Sequence, residues 1–360
     1  MPLRPDPTQE IRSATSFDGT RIAYARTGSG PPLVQAGRWV GHLEAEWTSP
    51  VRRSFLLELG RGNTFYRYDS RGCGISQRDV ADLSFDAQVR DLEAVVDAAG
   101  LRRFPLLGMS GGGAVAITYA ARHPERVSHL VTLGSAARGV LKRNAPRQLN
   151  EAKVLLKVIE VGWDQENPAF RQTYTSQFMP DASIENMRAW NELQRMTAST
   201  ETAIRHREEL DRLDVTDELE RIRCPMLIAH CRGDLRVPYS EGEFMAGRLP
   251  RARFVPLDGR NHIILENDVA WAQFFAELRA FIPTGPVRDE PSAAALTPRD
   301  LQLLELLAQG LDNAQIAARL DRAEQTVKNN ITRLFDKLGV QTRPQAIVRA
   351  RSSGFGNRTP

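Results

Sequence analysis

One stretch, Phe104-Pro105-Leu106-Leu107-Gly108-Met109-Ser110-Gly111-Gly112-Gly113, constrains the fold of this chain more than any other. Its apolar half reads as a short buried strand, its middle as a sharp turn, and the residues from about Gly111 as the start of a helix. Gly108-Met109-Ser110-Gly111-Gly112 fits G-x-S-x-G, a turn that lifts a serine hydroxyl above a sheet. The chemistry explains the spacing. The serine sits in strained backbone, and flanking glycines leave room where side chains would collide with neighbouring strands. The amide of Gly111, at the helix start, can face a developing oxyanion.

The chain is long enough, at 360 residues, for two domains, and 41% hydrophobic residues support a packed core. A net charge of +4 says little about partners on average, so its distribution matters. Cys73, Cys224 and Cys231 have neither a disulfide framework nor metal-ligand spacing. They read as reduced thiols of a cytoplasmic protein, and neither a metal nor a cofactor is expected. The start, Met1-Pro2-Leu3-Arg4-Pro5, is not a signal peptide. No apolar run is long enough to span a bilayer, and no internal repeat is present.

Around the serine turn the pattern alternates strand and helix. Strands are predicted at Thr20 to Ala25, Leu33 to Ala36, Asn63 to Tyr68, Val127 to Leu133, Pro225 to His230 and Arg253 to Leu257. The first is expected to be antiparallel and half exposed. Helical spacing runs through Phe85 to Ala99 and about Ala270 to Phe281. Such alternation implies a largely parallel sheet covered on both faces. Between about 139 and 221 the pattern becomes helical and charged, with Trp163, Phe170, Tyr174, Phe178, Met179, Met187, Trp190 and Met196. This segment is expected to form a lid over a pocket, most of these side chains being its packing face.

Asp234 and His262 follow the last two strands as Ser110 follows the central one. Singly, an aspartate in Arg-Gly-Asp suits a turn and a histidine beside an asparagine suits a loop. Together, each just past a strand's C-terminal end, they suggest a nucleophile, an orienting acid and a general base. Residues from about Ser16 to Phe281 resemble α/β-hydrolase-fold proteins. The resemblance rests on the serine turn, on Asp69-Ser70-Arg71-Gly72-Cys73-Gly74-Ile75-Ser76 (D-x-R-G-x-G-x-S), and on the Arg232-Gly233-Asp234 and Asn261-His262 ends. It implies a Ser110, Asp234 and His262 triad, with Asp69, Arg71 and Gly72 structural. One departure concerns the oxyanion hole. Where such proteins often carry His-Gly after the third strand, this chain has Gly37-Arg38, then Trp39. The backbone amide of Trp39 can still serve. The side chains of Arg38 and Trp39 are expected to crowd the site or bind a ligand, and Met109 and Gly111 complete the candidate oxyanion and ligand set. Loss of one oxyanion donor lowers turnover by about 10²–10³.

Residues 284–295 are rich in Pro, Gly and small residues and read as a linker between a first domain, 1–283, and a second, 296–351. Residues 352–360 read as a flexible tail. The second domain has four short helical units. Thr297 caps the first, with Leu301, Leu304 and Leu307 as its apolar face, and Asp312 with Gln315 caps the next. The third carries the stripe Val327, Ile331, Leu334 and Leu338, and Ala346, Ile347 and Ala350 pack the fourth. Off that stripe lie Thr326, Lys328, Asn329, Thr332, Arg333 and Lys337. Lys328, Asn329 and Thr332 suit base edges in a major groove, and Arg333 and Lys337 suit phosphates. Nine basic residues against six acidic ones place most of the net positive charge here.

This segment resembles the LuxR/GerE-type helix-turn-helix domain. The shared register includes Leu296-Thr297-Pro298-Arg299, Gln315-Ile316-Ala317, Thr326-Val327-Lys328-Asn329 and Lys337-Leu338-Gly339-Val340. Asp300, Ala323 and Asn330 depart from it, and Ala323 lacks the capping hydroxyl usual there. The two resemblances imply a cytoplasmic, ligand-responsive transcription regulator. Its expected partners are operator DNA, a small and mostly apolar ester, lactone or carbonyl compound, a second copy of itself and RNA polymerase. The alternative is an active serine hydrolase, esterase- or lactonase-like, with an appended DNA-binding or interaction module. A third reading is constitutive DNA binding with a hydrolase-fold dimerisation body.

Overall fold

A computed structural model describes residues 8–282, 297–338, 340, 342–352 and 355–356. The chain divides into two compact units, Met1–Val287 and Arg288–Pro360. The expected linker, 284–295, lies outside the described residues.

The first unit is built on an eight-stranded sheet. Its strands are β1 (Gln9–Thr15), β2 (Arg21–Gly28), β3 (Pro32–Gln35), β4 (Thr64–Tyr68), β5 (Phe104–Met109), β6 (Val127–Leu133), β7 (Met226–Cys231) and β8 (Arg253–Leu257), in the order β1-β2-β4-β3-β5-β6-β7-β8. β1 with β2 and β2 with β4 pair antiparallel; the pairings from β4 through β3 to β8 are parallel. Six helices flank the sheet: α1 (Leu43–Thr48), α2 (Arg53–Leu59), α3 (Phe85–Ala98), α4 (Gly112–Arg122) and, after the lid, α10 (Tyr239–Arg248) and α11 (Val269–Phe281). The lid comprises α5 (Pro146–Gly162), α6 (Ala169–Phe178), α7 (Ile184–Thr197), α8 (Thr200–Arg212) and α9 (Thr216–Leu219), and it follows β6.

Side chains leave the central strands alternately, as a pleat requires. Phe104 and Leu106 of β5 join Val89, Val95 and Ile117 on one face. Leu107 and Met109 join Phe55, Phe274 and Phe275 on the other. Each such side chain, fully buried, contributes about 1.5–3 kcal/mol. This double cover makes β5 a continuous apolar run. β2 is likewise buried along most of its length, not half exposed as its alternation suggests, because both of its faces are covered: Ile22 and Tyr24 join the main core, and Ala23 and Ala25 pack with Leu43. β1 itself has mostly exposed side chains and left no apolar pattern in the sequence.

The D-x-R-G-x-G-x-S turn is a brace. Arg71 is fully buried and reaches Asp91 at 2.7 Å and Asp18 at 2.9 Å. Asp69 accepts the amides of Leu43 and Ile75.

The second unit holds α12 (Pro298–Ala308), α13 (Asn313–Leu320), α14 (Glu324–Leu338) and α15 (Arg343–Ser352). Thr297 and Asp300 form a reciprocal capping box at α12, and Asp312 and Gln315 form another at α13. The core gathers Leu304, Leu307, Ile316, Val327, Leu334 and Ala346. Leu303 and Leu306 are buried as well, so the inward face of α12 is broader than the Leu301, Leu304, Leu307 stripe. Beyond α15, Phe355 packs against this core and the Gly356 amide donates to Glu305, so this part of the expected flexible tail is docked.

Candidate active site and nucleic-acid face

Ser110 has φ +52°, a left-handed backbone that few non-glycine residues adopt. The strain is held by β6 on one side and α4 on the other: the Ser110 amide donates to the Leu133 carbonyl at 3.0 Å, and the Gly113 amide to the Ser110 carbonyl at 3.0 Å. The glycines permit the bend, since a Cβ on Gly108 would lie 2.5 Å from the Gly113 Cα.

Asp234 and His262 meet behind this turn. The His262 Nδ1–H donates to Asp234 Oδ2 at 2.7 Å, and both side chains are buried. Asp234 Oδ1 accepts the amides of Arg236 and Val237 at 2.8 and 2.9 Å, which fixes the carboxylate. His230, fully buried, lies behind Asp234; its Nε2–H donates to the Val237 carbonyl at 2.9 Å, and burial holds its pKa below the ordinary imidazole value. Gly134, at φ +58°, leaves space for the imidazole, because a Cβ there would sit 3.1 Å from the His262 ring. Such a pair keeps Nε2 free to accept a proton and stabilises the imidazolium that results. The Ser110 hydroxyl makes no hydrogen bond to His262 in this state, and contacts of this kind commonly tighten only around a bound ligand.

The thiols are held toward their neutral form: burial pushes Cys231 up to about 12 and Cys224 to about 11, and Cys73 is fully buried and also raised. Among the described residues no cluster of His, Cys, Asp and Glu is arranged to hold a metal ion.

A cavity opens over Ser110 and Gly111, walled by Trp39, Phe178, Leu210 and Val237, with about 60 Å³ open to the centres of water molecules. Among the described residues, the backbone amides of Trp39 and Gly111, both of which line the cavity, donate to no protein group. The lid roofs part of the cavity. Trp39 stacks on Trp163 at 5.4 Å, and Phe178 sets its ring edge-on to His262 at 5.5 Å. The Phe178 carbonyl also accepts the amides of His262 and Ile263, at 2.8 and 3.1 Å.

Two residues of the candidate ligand set are elsewhere. The Arg38 side chain is drawn away to the buried carboxylate of Glu46, which also binds Arg67 at 2.9 Å and Arg52 at 3.3 Å. Burial alone would raise Glu46; the guanidiniums of Arg38, Arg67 and Arg52 outweigh it and bring it to about 2. Met109 points into the core beneath the sheet, as the pleat dictates for the residue before the turn. Conversely, Arg138, Arg143, Arg207 and Arg236 line the cavity, and the sequence drew no attention to them. Arg138 and Arg143 lie between β6 and α5, Arg207 on α8 of the lid and Arg236 on the loop after β7, and nothing in their spacing shows that they converge. The cavity is accordingly rich in polar groups, whereas the ligand expected from sequence is mostly apolar.

In the second unit, α14 buries Val327, Ile331, Leu334 and Leu338 and exposes Thr326, Lys328, Asn329, Thr332 and Arg333. The Lys337 side chain lies outside the described residues. Gln325, which sequence reasoning passed over, is exposed on the same side and donates to Asn329 at 3.2 Å. Arg343 clamps the bundle by donating to Asn313 at 2.7 Å.

A serine on a strained strand-to-helix turn, with an Asp-His pair past β7 and β8, defines the α/β-hydrolase class. The family described as "alpha/beta hydrolase fold" matches residues 48–269, more than half of the chain, and the chain belongs to it. Its final segment, 294–350, is a LuxR-family regulatory domain, matching "Bacterial regulatory proteins, luxR family". The AB hydrolase superfamily protein YisY of Bacillus subtilis is 29% identical over 238 residues, covering 65% of this chain and 86% of that protein. The DNA-binding transcriptional activator DevR/DosR of Mycobacterium tuberculosis is 41% identical over 111 residues, 29% of this chain and 48% of that one, so about half of that relative is spanned. An esterase from Exiguobacterium antarcticum superposes with a TM-score of 0.63 at 23% identity, covering 75% of this chain and 98% of that one, a likeness of fold.

Proposed function

We propose that this chain is a ligand-responsive transcription regulator. Its hydrolase-fold domain takes a small ester, lactone or other carbonyl compound beneath the lid, and occupancy changes the affinity of its helix-turn-helix domain for operator DNA. The observation that carries this reading is the presence, in one chain, of a lidded cavity over a strained serine and a DNA-binding domain with a polar helix face. In that face Lys328, Asn329 and Thr332 read base edges, and Arg333 and Lys337 neutralise phosphates. The protein acts as a homodimer on paired half-sites and engages RNA polymerase from there. The activator named among its relatives supports the regulatory half of this reading.

At the cavity, Ser110 and His262 hydrogen-bond the ligand's carbonyl group, with the amides of Gly111 and Trp39 facing its oxygen. The test begins with a thermal-shift screen of carbonyl compounds on the full chain, since a binder stabilises the folded state. Hits are then titrated into fluorescence anisotropy measurements on duplex DNA selected by the protein. A hit should change DNA affinity by about 5–150-fold. Binders that leave DNA affinity unchanged would reject the coupling.

A second reading is favoured by the Asp234–His262 hydrogen bond: the site turns its ligand over. Ser110 then attacks the carbonyl carbon, and its proton passes to His262 Nε2. The proton moves on to the leaving oxygen as the acyl–oxygen bond breaks, and water hydrolyses the acyl-enzyme by the same relay. Rapid, saturable hydrolysis of a bound ester by the full chain would promote this reading over passive sensing.

A further inference from the structure

Four guanidiniums face the cavity over Ser110, those of Arg138, Arg143, Arg207 and Arg236. Three have partners. Arg138 and Arg143 share Glu241, at 2.9 and 3.8 Å, and Arg207 pairs with Asp211 at 2.5 Å. Arg236 has no carboxylate partner among the described residues. Its guanidinium lies against the rings of Tyr174 and Phe178, at 5.6 and 5.5 Å. Two carboxylates therefore answer four cations in a partly buried space. Burial pushes Arg143 below the ordinary guanidinium range; Glu241 opposes that shift, and Arg207 and Arg138 add to it.

An excess of positive charge in a partly buried space is costly unless a counter-ion joins it. Aromatic faces hold a guanidinium but do not neutralise it. The fork of an arginine matches a carboxylate in shape and charge. Arg236 is also tied to the Asp-His pair, since its amide donates to Asp234 at 2.8 Å. An anion seated on it would be held at a fixed offset from Ser110.

We propose that the ligand of this cavity is a monoanionic carbonyl compound, an ester or lactone that also bears a carboxylate, and that Arg236 is the residue that recognises the carboxylate. This inference rests on the cavity being the ligand site, as proposed above, and it replaces the mostly apolar ligand expected from sequence.

The test uses the full-length protein and two probes of nearly equal shape, monomethyl glutarate and dimethyl glutarate, measured by isothermal titration calorimetry. The monoanion should bind at least about tenfold more tightly than the neutral diester, and Arg236→Met should erase most of that preference. Arg236→Lys, which keeps the charge but not the fork, should retain an intermediate preference and guards against a variant that merely misfolds. Equal or tighter binding of the diester would overturn the inference while leaving the cavity as the ligand site, as would an Arg236→Met protein with its preference intact. Binding of neither probe would count against both readings.

Discussion

Glu46 shows how much can depend on one carboxylate. It is almost fully buried and is the common partner of Arg38, Arg52 and Arg67. Replacing it with glutamine leaves the three guanidiniums without that counter-charge, and removal of one partner from a buried ionic cluster costs about 3–5 kcal/mol. Urea denaturation of Glu46→Gln at neutral pH measures this directly. The wild-type cluster also carries an acid signature. With a folded-state value of about 2 against an ordinary 4.5, Glu46 contributes stability that is complete above the ordinary value and is lost as pH falls through about 2. The variant should lose that part of the pH dependence. The same cluster explains why Arg38 was misplaced by sequence. Its position after β3 pointed to the cavity, and its side chain answers a carboxylate eight residues on, a pairing that no local pattern reveals.

At the scale of elements, α14 is the one whose surface chemistry is specified most closely. Its first turn is capped only by backbone: the amides of Thr326 and Val327 reach the Ala323 carbonyl, and Ala323 offers no side-chain acceptor. Ala323→Ser should stabilise the helix by about 1 kcal/mol, read as slower amide hydrogen exchange along α14 in the full chain. On its outer face, Lys328→Ala should weaken binding to the selected duplex by about 1–3 kcal/mol and relax base preference. Arg333→Ala should weaken all duplexes alike and reduce the salt slope by about 1. An unchanged base preference for the lysine variant would remove it from the reading face. These helices were legible in sequence because capping residues and a 3.6-residue stripe mark them locally. So were the buried central strands, where β5 reads as an apolar run bounded by glycine. β1 was not legible, because its pairing with β2 leaves its side chains in solvent.

Across the whole molecule, what sequence conveys falls off with contact distance. Ser110, Asp234 and His262 could be picked out because each ends a strand, and strand ends are visible in a one-dimensional pattern. The cavity's arginines could not, because they converge only once the lid has folded over the sheet. The two roles proposed for Ser110, ligand contact in sensing and nucleophile in turnover, separate by experiment. Ser110→Ala should abolish acyl-enzyme formation with an activated ester, read as mass added to the intact protein. If signalling needs only occupancy, the same variant should keep its ligand-dependent change in DNA affinity, measured by anisotropy. Loss of both together would tie transcriptional output to covalent chemistry.

The two hydrogen bonds that hang His262 and Ile263 from the Phe178 carbonyl give the roof of this chamber a second duty. Under the turnover reading, any movement of α6 that widened the entrance would also free the backbone of the general base, so a site opened in that way would have to reseat His262 before it could react.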